Sequence, residues 1–390
     1  MKHTNKIFTL IVGGVLLTQP LLAASTYVDP FDSTPKPRSL AMGNTGVAYG
    51  NDVHTVFYNP ASLGGIKGMQ FLASSGATLQ DVNNTTEVMA FPIGSSQTAA
   101  VSLGYSAFQV SNILNANYVQ GVPTIVGAAS FSNSVFFASA ANQTSFGKFG
   151  ILAKSFNNNL SLQGPGTGFS GQGTNVDVGA LWSLNSSTQV GLAFKNVLST
   201  QSIKYSSGAV DALAQKTVLG IGTRFVNSSG NYLGLAMDYE YISNTPGYGL
   251  WHGGVEWGFD RNIALRAGMN QVLQSQQNIV VASQLTLGVG VRWSGLHLDY
   301  AYYPDFGELG DAKHFFGIAY VGLMEDEVTV AQETKKPAAV APATVEAPVI
   351  TTVYGRDHSI KLNPKKDPKQ TNAEELDDSP DAVLQEQNVP

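Results

Sequence analysis

From Met69 to Leu323 the chain keeps a two-residue rhythm, and any fold of it must satisfy that rhythm. Val190, Leu192 and Phe194 alternate with Gly191, Ala193 and Lys195, and Leu233, Leu235, Met237 and Tyr239 alternate with Gly234, Ala236, Asp238 and Glu240. Ile263, Leu265, Ala267 and Met269 oppose Ala264, Arg266 and Gly268. Leu285, Leu287, Val289, Val291 and Trp293 oppose Thr286, Gly288, Gly290 and Arg292, and Leu296, Leu298, Tyr300 and Tyr302 oppose His297, Asp299 and Ala301. Successive side chains of a strand point to opposite faces. Each segment therefore reads as a strand with one greasy face and one small or polar face, and fourteen such strands can be counted. A soluble sandwich gives the same alternation, so the period sets strands without naming their solvent.

The ends of the chain narrow the choice. Lys2 and Lys6 precede an apolar run, Ile7 to Leu17, that is too short to cross a bilayer, and Ala23, Ala24 and Ser25 follow it. This is the pattern of a secretory signal peptide over residues 1–24, cut near Ala24. The sequence has no Cys, which suits a Gram-negative envelope better than a disulfide-stapled secreted module. No later apolar run reaches the length of about 18 residues that a transmembrane helix needs. A closed barrel is then the one way for this exported chain to sit in lipid with every backbone group satisfied. Charged residues are 13% of the chain, against about a quarter in ordinary soluble domains. A net charge of −6 excludes a basic footprint for nucleic acid.

Loop lengths separate barrel from sandwich. Connections at Ile93–Gln97, Thr144–Gly147, Leu184–Thr188, Asn227–Asn231, Phe259–Asn262 and Ser294–Gly295 are short. Those between them, Ser111–Ala128, Asn157–Gly171, Leu198–Ala214, Gln271–Ala282 and Pro304–Ala312, read as long external loops. Alternating tight and extended links over an even number of strands is the outer-membrane pattern, whereas Greek-key links break it. Phe149, Trp182, Trp251, Trp257, Phe259, Trp293, Tyr302 and Tyr303 fall near strand ends, where interfacial girdles belong. The expected fold is all-β: an outer-membrane barrel of about fourteen antiparallel strands over residues 69–324.

Before the barrel, Arg38–Gly65 reads RSLAMGNTGVAYGNDVHTVFYNPASLGG. Gly43, Gly46 and Gly50 permit sharp turns and close approach. Asn51 or Asp52 can cap a helical turn, and Pro60 ends it. Leu40, Met42, Val47, Val56, Phe57, Tyr58 and Leu63 are too scattered to form a core by themselves, so the segment must pack into the rest of the chain. Its S-x-A-M-G-x-x-G-V-A … N-P-A-x-L pattern resembles the opening of PorV/PorQ-type proteins, barrels related to FadL-type transporters of long-chain fatty acids. The likeness continues at HGGVEW (His252–Trp257) with ALRAG (Ala264–Gly268), and at LHLDYAYYPDFGELGDAKHF (Leu296–Phe315). In the last of these Ala312 and Lys313 stand before His314, where the family more often shows Thr-His-Arg. The resemblance implies that residues 25–68 form a hatch inside the lumen, carried by Arg38, Met42, Gly43, Gly46, Asn59, Pro60 and Ala61. On that basis Asn59-Pro60-Ala61 is expected to pack against Gly234, Gly268, Gly288 and their charged neighbours.

No enzymatic constellation emerges, and no cofactor is implied. GPGTGFSGQG (Gly164–Gly173) lacks the strand-then-helix context of a phosphate loop. His252 with Glu256 and His297 with Asp299 supply two metal ligands each, where a site needs three or four. A lipid-facing phospholipase pair is excluded because these histidines fall on the other face. The same polar face carries Asp177, Lys195, Arg224, Asp238, Glu240, His252, Glu256, Arg266, Arg292, His297 and Asp299, with nearly balanced signs. Mixed charges favour mutual pairing and a plugged lumen, where an ion-selective pore would show one prevailing sign.

Two functions fit. In the first, implied by the resemblance to FadL-type transporters, hydrophobic small molecules pass through the plugged barrel after capture on an apolar external loop by Ile113, Leu114, Tyr118, Val119, Val122 and Ile125. In the second, implied by the PorV resemblance, the barrel is a non-enzymatic accessory that binds proteins of a secretion or surface-attachment complex. Outer-membrane lipid is the common partner. Residues 325–390 follow as a Pro/Ala-rich linker and an acidic end with Glu374, Glu375, Asp377, Asp378, Asp381 and Glu386, expected as a disordered periplasmic tail able to take a periplasmic partner.

Overall fold

The computed structural model describes residues 29–321 except 30, 33, 80–81, 164–167, 199–201, 244–248, 261, 276–278 and 305–311, and omits the side chains of 77–79, 117–119, 202, 274–275 and 279–280. The expected signal peptide and acidic tail lie outside the described residues. The strands are β1 (Gln70–Leu79), β2 (Val82–Ile93), β3 (Ala99–Val119), β4 (Val122–Thr144), β5 (Gly147–Gln163), β6 (Phe169–Ser183), β7 (Thr188–Lys195) and β8 (Ser202–Tyr205). They continue with β9 (Val210–Ala212), β10 (Lys216–Val226), β11 (Tyr232–Ile242), β12 (Gly249–Phe259), β13 (Ile263–Ser275), β14 (Ile279–Trp293), β15 (Leu296–Tyr303) and β16 (Lys313–Val321).

Each strand pairs antiparallel with its neighbour, and β1 pairs with β16 from Gln70↔Val321 to Ala77↔His314, which closes the sheet. Strands β8 and β9 form a side hairpin laid on β6, leaving a closed barrel of 14 strands. Closure abolishes the sheet edges that lipid could not satisfy. The predicted faces hold. Gly234, Ala236 and Asp238 point inward and are covered, while Leu233, Leu235, Met237, Trp257, Leu265, Leu287 and Trp293 lie exposed on the outer wall. One girdle residue is placed differently: Tyr303 faces inward, packed edge-on against Phe315 and reached by the Asn270 amide.

Several expected loops are ladder. Strands β3 and β4 run to Val119↔Val122, joined only by Gln120 and Gly121, both at positive φ (52° and 83°). That is the backbone a two-residue turn with matching twist requires. Irregular register between Val110 and Ile113 and between Asn115 and Ala116 breaks the alternation, which hides the strand in the sequence. Likewise β5 and β6 pair to Leu160↔Phe169, β13 and β14 to Ser275↔Ile279, and the stretch Leu198–Ala214 contains β8 and β9. These hairpins extend the wall on the side opposite the tight turns. Most of Pro304–Ala312 lies outside the described residues.

Candidate functional site

The N-terminal segment fills the barrel. Arg38–Leu63 is buried almost throughout, although it contains only one turn of α-helix, α1 (Pro37–Leu40), and two 3-10 turns, Val53–Thr55 and Pro60–Leu63. The barrel accepts this irregular chain through glycines on its inner face, each seating one part of it. Pro37 lies on Gly317, Ala41 on Gly288, Met42 on Gly254 and Gly268, Val47 on Gly191 and Gly220, Ala48 on Gly222, and Tyr49 on Gly234. Gly43 itself is at φ 67°, and a Cβ there would overlap the Gly253 and Met269 carbonyls.

Asn59-Pro60-Ala61 sits elsewhere than expected. Its seats are Gly179 and Gly150 on β6 and β5, while Gly268 and Gly288 take Ala41–Gly43 and Gly234 takes Tyr49. The local chemistry explains the motif. The Asn59 carbonyl oxygen accepts from Ala61 N at 3.0 Å, capping the turn, and its amide donates to the Val47 and Ala180 carbonyls at 2.9 Å each. Pro60 opens the turn where no N–H is needed, and Ala61 is small enough to lie against Gly150.

Two ionic knots tie the segment to the wall. In the first, Arg38 meets Asp52 at 2.6 Å and Glu256 at 3.5 Å, while Arg266 bridges Glu256 and Asp299 at 2.6 Å each. Tyr49 and Tyr232 donate to Glu256 at 3.0 Å, and Arg224 and Arg292 approach it at 3.5 and 3.6 Å. His54 stacks on His297 and stands 3.9 Å from Asp299. Burial would raise the Asp52 carboxyl, but the Arg38 guanidinium outweighs it and holds Asp52 well below the usual carboxylate range. Burial also pushes His54 down, which keeps that imidazole neutral.

The second knot lies toward the long hairpins. Lys195 and Lys216 converge on Asp32 at 3.1 and 2.7 Å, and Lys216 reaches Glu240 at 2.9 Å. Asp177 binds Lys154 at 2.8 Å and accepts from Asn196 N, and Lys154 also reaches Asp29 at 3.3 Å. Asp238 accepts from Gly46 N and Val47 N at 2.8 and 3.1 Å, fixing the turn at Gly46. Lys36, buried over the Phe57 and Tyr58 rings, is pushed down to about 7, first by desolvation and then by Lys195. His252 faces Asn270 and does not meet Glu256, and among the described residues no three ligands converge as a metal site.

Sequence reasoning missed the other half of the lumen. Strands β1–β5 turn Leu72, Val88, Val135, Phe137, Leu152 and Phe156 inward against Phe31, Val56, Phe57 and Leu63. Phe31, Phe57 and Phe137 form an aromatic trio with centroids 5.0–5.5 Å apart. It also missed Lys154 and Lys216. The available signal was Lys154 itself, which shares a face with Leu152 and Phe156 and so marks that mostly apolar face as the inner one. Of the capture residues, Ile113, Leu114, Val122 and Ile125 are exposed on the β3–β4 hairpin, and the side chains of Tyr118 and Val119 lie outside those described.

The seating has a direct test. In Gly268→Val the new side chain would overlap Met42 and Gly43 backbone, which cannot yield as a flexible side chain would. The substitution is expected to cost about 3 kcal/mol, the upper part of the range for overpacking, and to lower the temperature of the heat-dependent gel shift. Val at Gly253, whose Cβ would meet nothing within 4 Å, is the control and should leave the shift in place.

No protein-family model and no curated protein matches the sequence. Among solved structures, the chain is similar to the Pseudomonas putida toluene transporter TodX, at 14% identity and a TM-score of 0.51, covering 74% of this chain and 98% of that one. It is similar to the CymD monoaromatic hydrocarbon channel at 12% identity and 0.51, covering 75% and 98%. A Pseudomonas aeruginosa FadL homologue aligns at 10% identity and 0.47, covering 74% and 98%. The shared element is the fold: this chain has the fold of these channels, a closed barrel, here of 14 antiparallel strands.

Proposed function

We propose that the protein passes neutral hydrophobic small molecules across the outer membrane of a Gram-negative-type cell, along the apolar half of a lumen closed by residues 29–68. The observation that carries this reading is the division of the interior. Ion pairs, which are costly to break once buried, hold the plug to β7 and β10–β15 and, through Asp29 and Lys154, at one point of β5. Apart from Lys154 and a few hydrogen bonds to Gln70, Ser74 and Ser106, the face toward β1–β5 is held by Phe31, Val56, Phe57 and Leu63 against aliphatic and aromatic wall. An apolar guest can replace those contacts with equivalent ones, since dispersion and burial have no directional requirement. The plug can therefore yield on that side while the ionic side stays anchored. The exposed apolar residues of the β3–β4 hairpin supply the first contact. The fold likeness to a toluene transporter and a monoaromatic hydrocarbon channel supports the same class of guest.

Uptake of a neutral monoaromatic probe by cells producing the protein, compared with cells lacking it, tests this. Uptake is expected to exceed that of an equally sized cation, and to fall to background in Phe137→Asp, which places a charge in the apolar half. A barrel that is correctly assembled yet passes no probe would return the function to the protein-docking accessory.

A further inference from the structure

With the wall in lipid, as proposed above, outward side chains at mid-height should be apolar, and one position breaks the pattern. Glu87 points outward on β2, six residues from the tight-turn end of its strand at Ile93. At the same remove from their own tight turns, Ala138, Ala153, Met269 and Leu287 face outward on β4, β5, β13 and β14. Among the described residues Glu87 has no hydrogen-bond or ion-pair partner. The hydroxyl of Tyr105, directly across from it on β3, has none either, although its ring lies 4.7 Å from that of Phe136. An ionisable side chain on a lipid-facing strand is destabilising near mid-plane, and such a residue reads first as a functional contact. Here an acceptor and a donor, both unsatisfied, stand side by side.

A second copy of this chain offers both complements at once. In an isologous pair, contact of i with j repeats as j with i. A two-fold axis along the membrane normal, passing between Glu87 and Tyr105, therefore sets each carboxylate against the hydroxyl of the other copy. Because barrel strands tilt by about 40°, such an axis moves over by about one strand for every two residues gained. It runs between Phe71 and Met89 below, and between Ala107 and Ser134, then Ser132 and Asn159, above; each of these is a cross-strand pair on the outer face. Apolar meets apolar below the central pair, small meets small just above it, and amide meets hydroxyl at the top. Small residues let two walls approach closely, and amides and hydroxyls are donors and acceptors at once. Phe136, 58% exposed, then lies over Thr85 of the second copy, which with Ser75 and Glu87 lines a groove of about 670 Å³.

We propose that the protein pairs with a second copy of itself across the β1–β5 wall, on a two-fold axis that joins each Tyr105 hydroxyl to the Glu87 carboxylate of the other chain. A cationic partner of different sequence would satisfy Glu87 and leave the Tyr105 donor idle, whereas the second copy uses both. The pairing is independent of which guest the lumen passes.

The sequence has no cysteine, so single Cys variants read the contact directly in outer-membrane preparations treated with a short bismaleimide. Met89→Cys and Ala107→Cys, both close to the axis, should give a band at twice the chain mass. Met237→Cys, on β11 at the far side of the barrel and as exposed as Met89 at 48%, should not. In non-ionic detergent, sedimentation should show a dimer whose dissociation constant rises about tenfold or more in Tyr105→Phe, the worth of a charged hydrogen bond. Glu87→Gln keeps an acceptor oxygen and should keep the dimer. Tyr105→Phe should leave probe uptake unchanged, so loss of pairing and loss of passage are separate results. Equal crosslinking at Met237, a crosslink to a chain of different mass, or no crosslink from either near-axis position overturns the pairing. So does a Tyr105→Phe dimer as tight as the unmodified one.

Discussion

A chain lacking Arg38–Gly65 is expected to insert into a planar bilayer and conduct ions in large steps, while the intact chain stays nearly closed. The segment packs the space inside the wall: Met42, Val47, Val53, Val56, Phe57, Tyr58 and Leu63 are each at most 6% exposed. The wall does not need them to form, because its strands pair with one another continuously from β1 round to β16 and no plug segment stands between two paired strands. What remains after deletion is a 14-strand cylinder whose inner face carries glycine at Gly150, Gly179, Gly191, Gly220, Gly222, Gly234, Gly254, Gly268, Gly288 and Gly317. Barrels wider than about eight strands are not filled by their own side chains, and this one has small residues where filling would be needed. Single-channel recording decides the matter. Large conductance from the intact chain would remove the plug from the account, and a closed pore after deletion would give the segment a role in assembly or docking instead.

Glu256→Gln is the single substitution with the largest expected effect on stability. The Glu256 side chain is fully buried and faces Arg38, Arg224, Arg266 and Arg292. Its amide replacement keeps the volume and loses the charge, leaving four guanidiniums with Asp52 and Asp299 alone. Removing one partner of a buried ion pair costs about 3–5 kcal/mol, because the remaining charges are left uncompensated in a medium that cannot solvate them. The loss should appear as a lower denaturant midpoint for barrel unfolding and as leak conductance through a loosened plug. Glu87→Gln is the comparison, since Glu87 lies exposed on the outer face of β2 away from the knot and should move neither measurement. Equal stability of the two variants would mean that the glycine seats, and not the ion pairs, hold the plug.

Much of the wall was legible because a strand has a period of two. Once Leu233, Leu235 and Met237 are assigned to one face, Gly234, Ala236 and Asp238 must share the other, whatever the strand pairs with. The Asn-Pro-Ala turn was legible for a similar reason, since capping by Asn59 and the fixed φ of Pro60 are local. The extended hairpins were not, because irregular register near Asn112 and Ala116 interrupts the period and Gln120-Gly121 is a weak turn signal beside Asn-Gly. The apolar half was hidden because β4 is greasy on both faces: Phe136 points out and Phe137 points in, and alternation alone cannot tell lipid from plug. The sequence by itself thus determined the strands, most of their two faces, and the need of Arg38–Gly65 for an outside partner. Only the tertiary structure decided which glycine seats which residue and which arginines share Glu256, since those meetings follow from the register around a closed sheet. Register is a sum of small strand offsets, and no single strand records it.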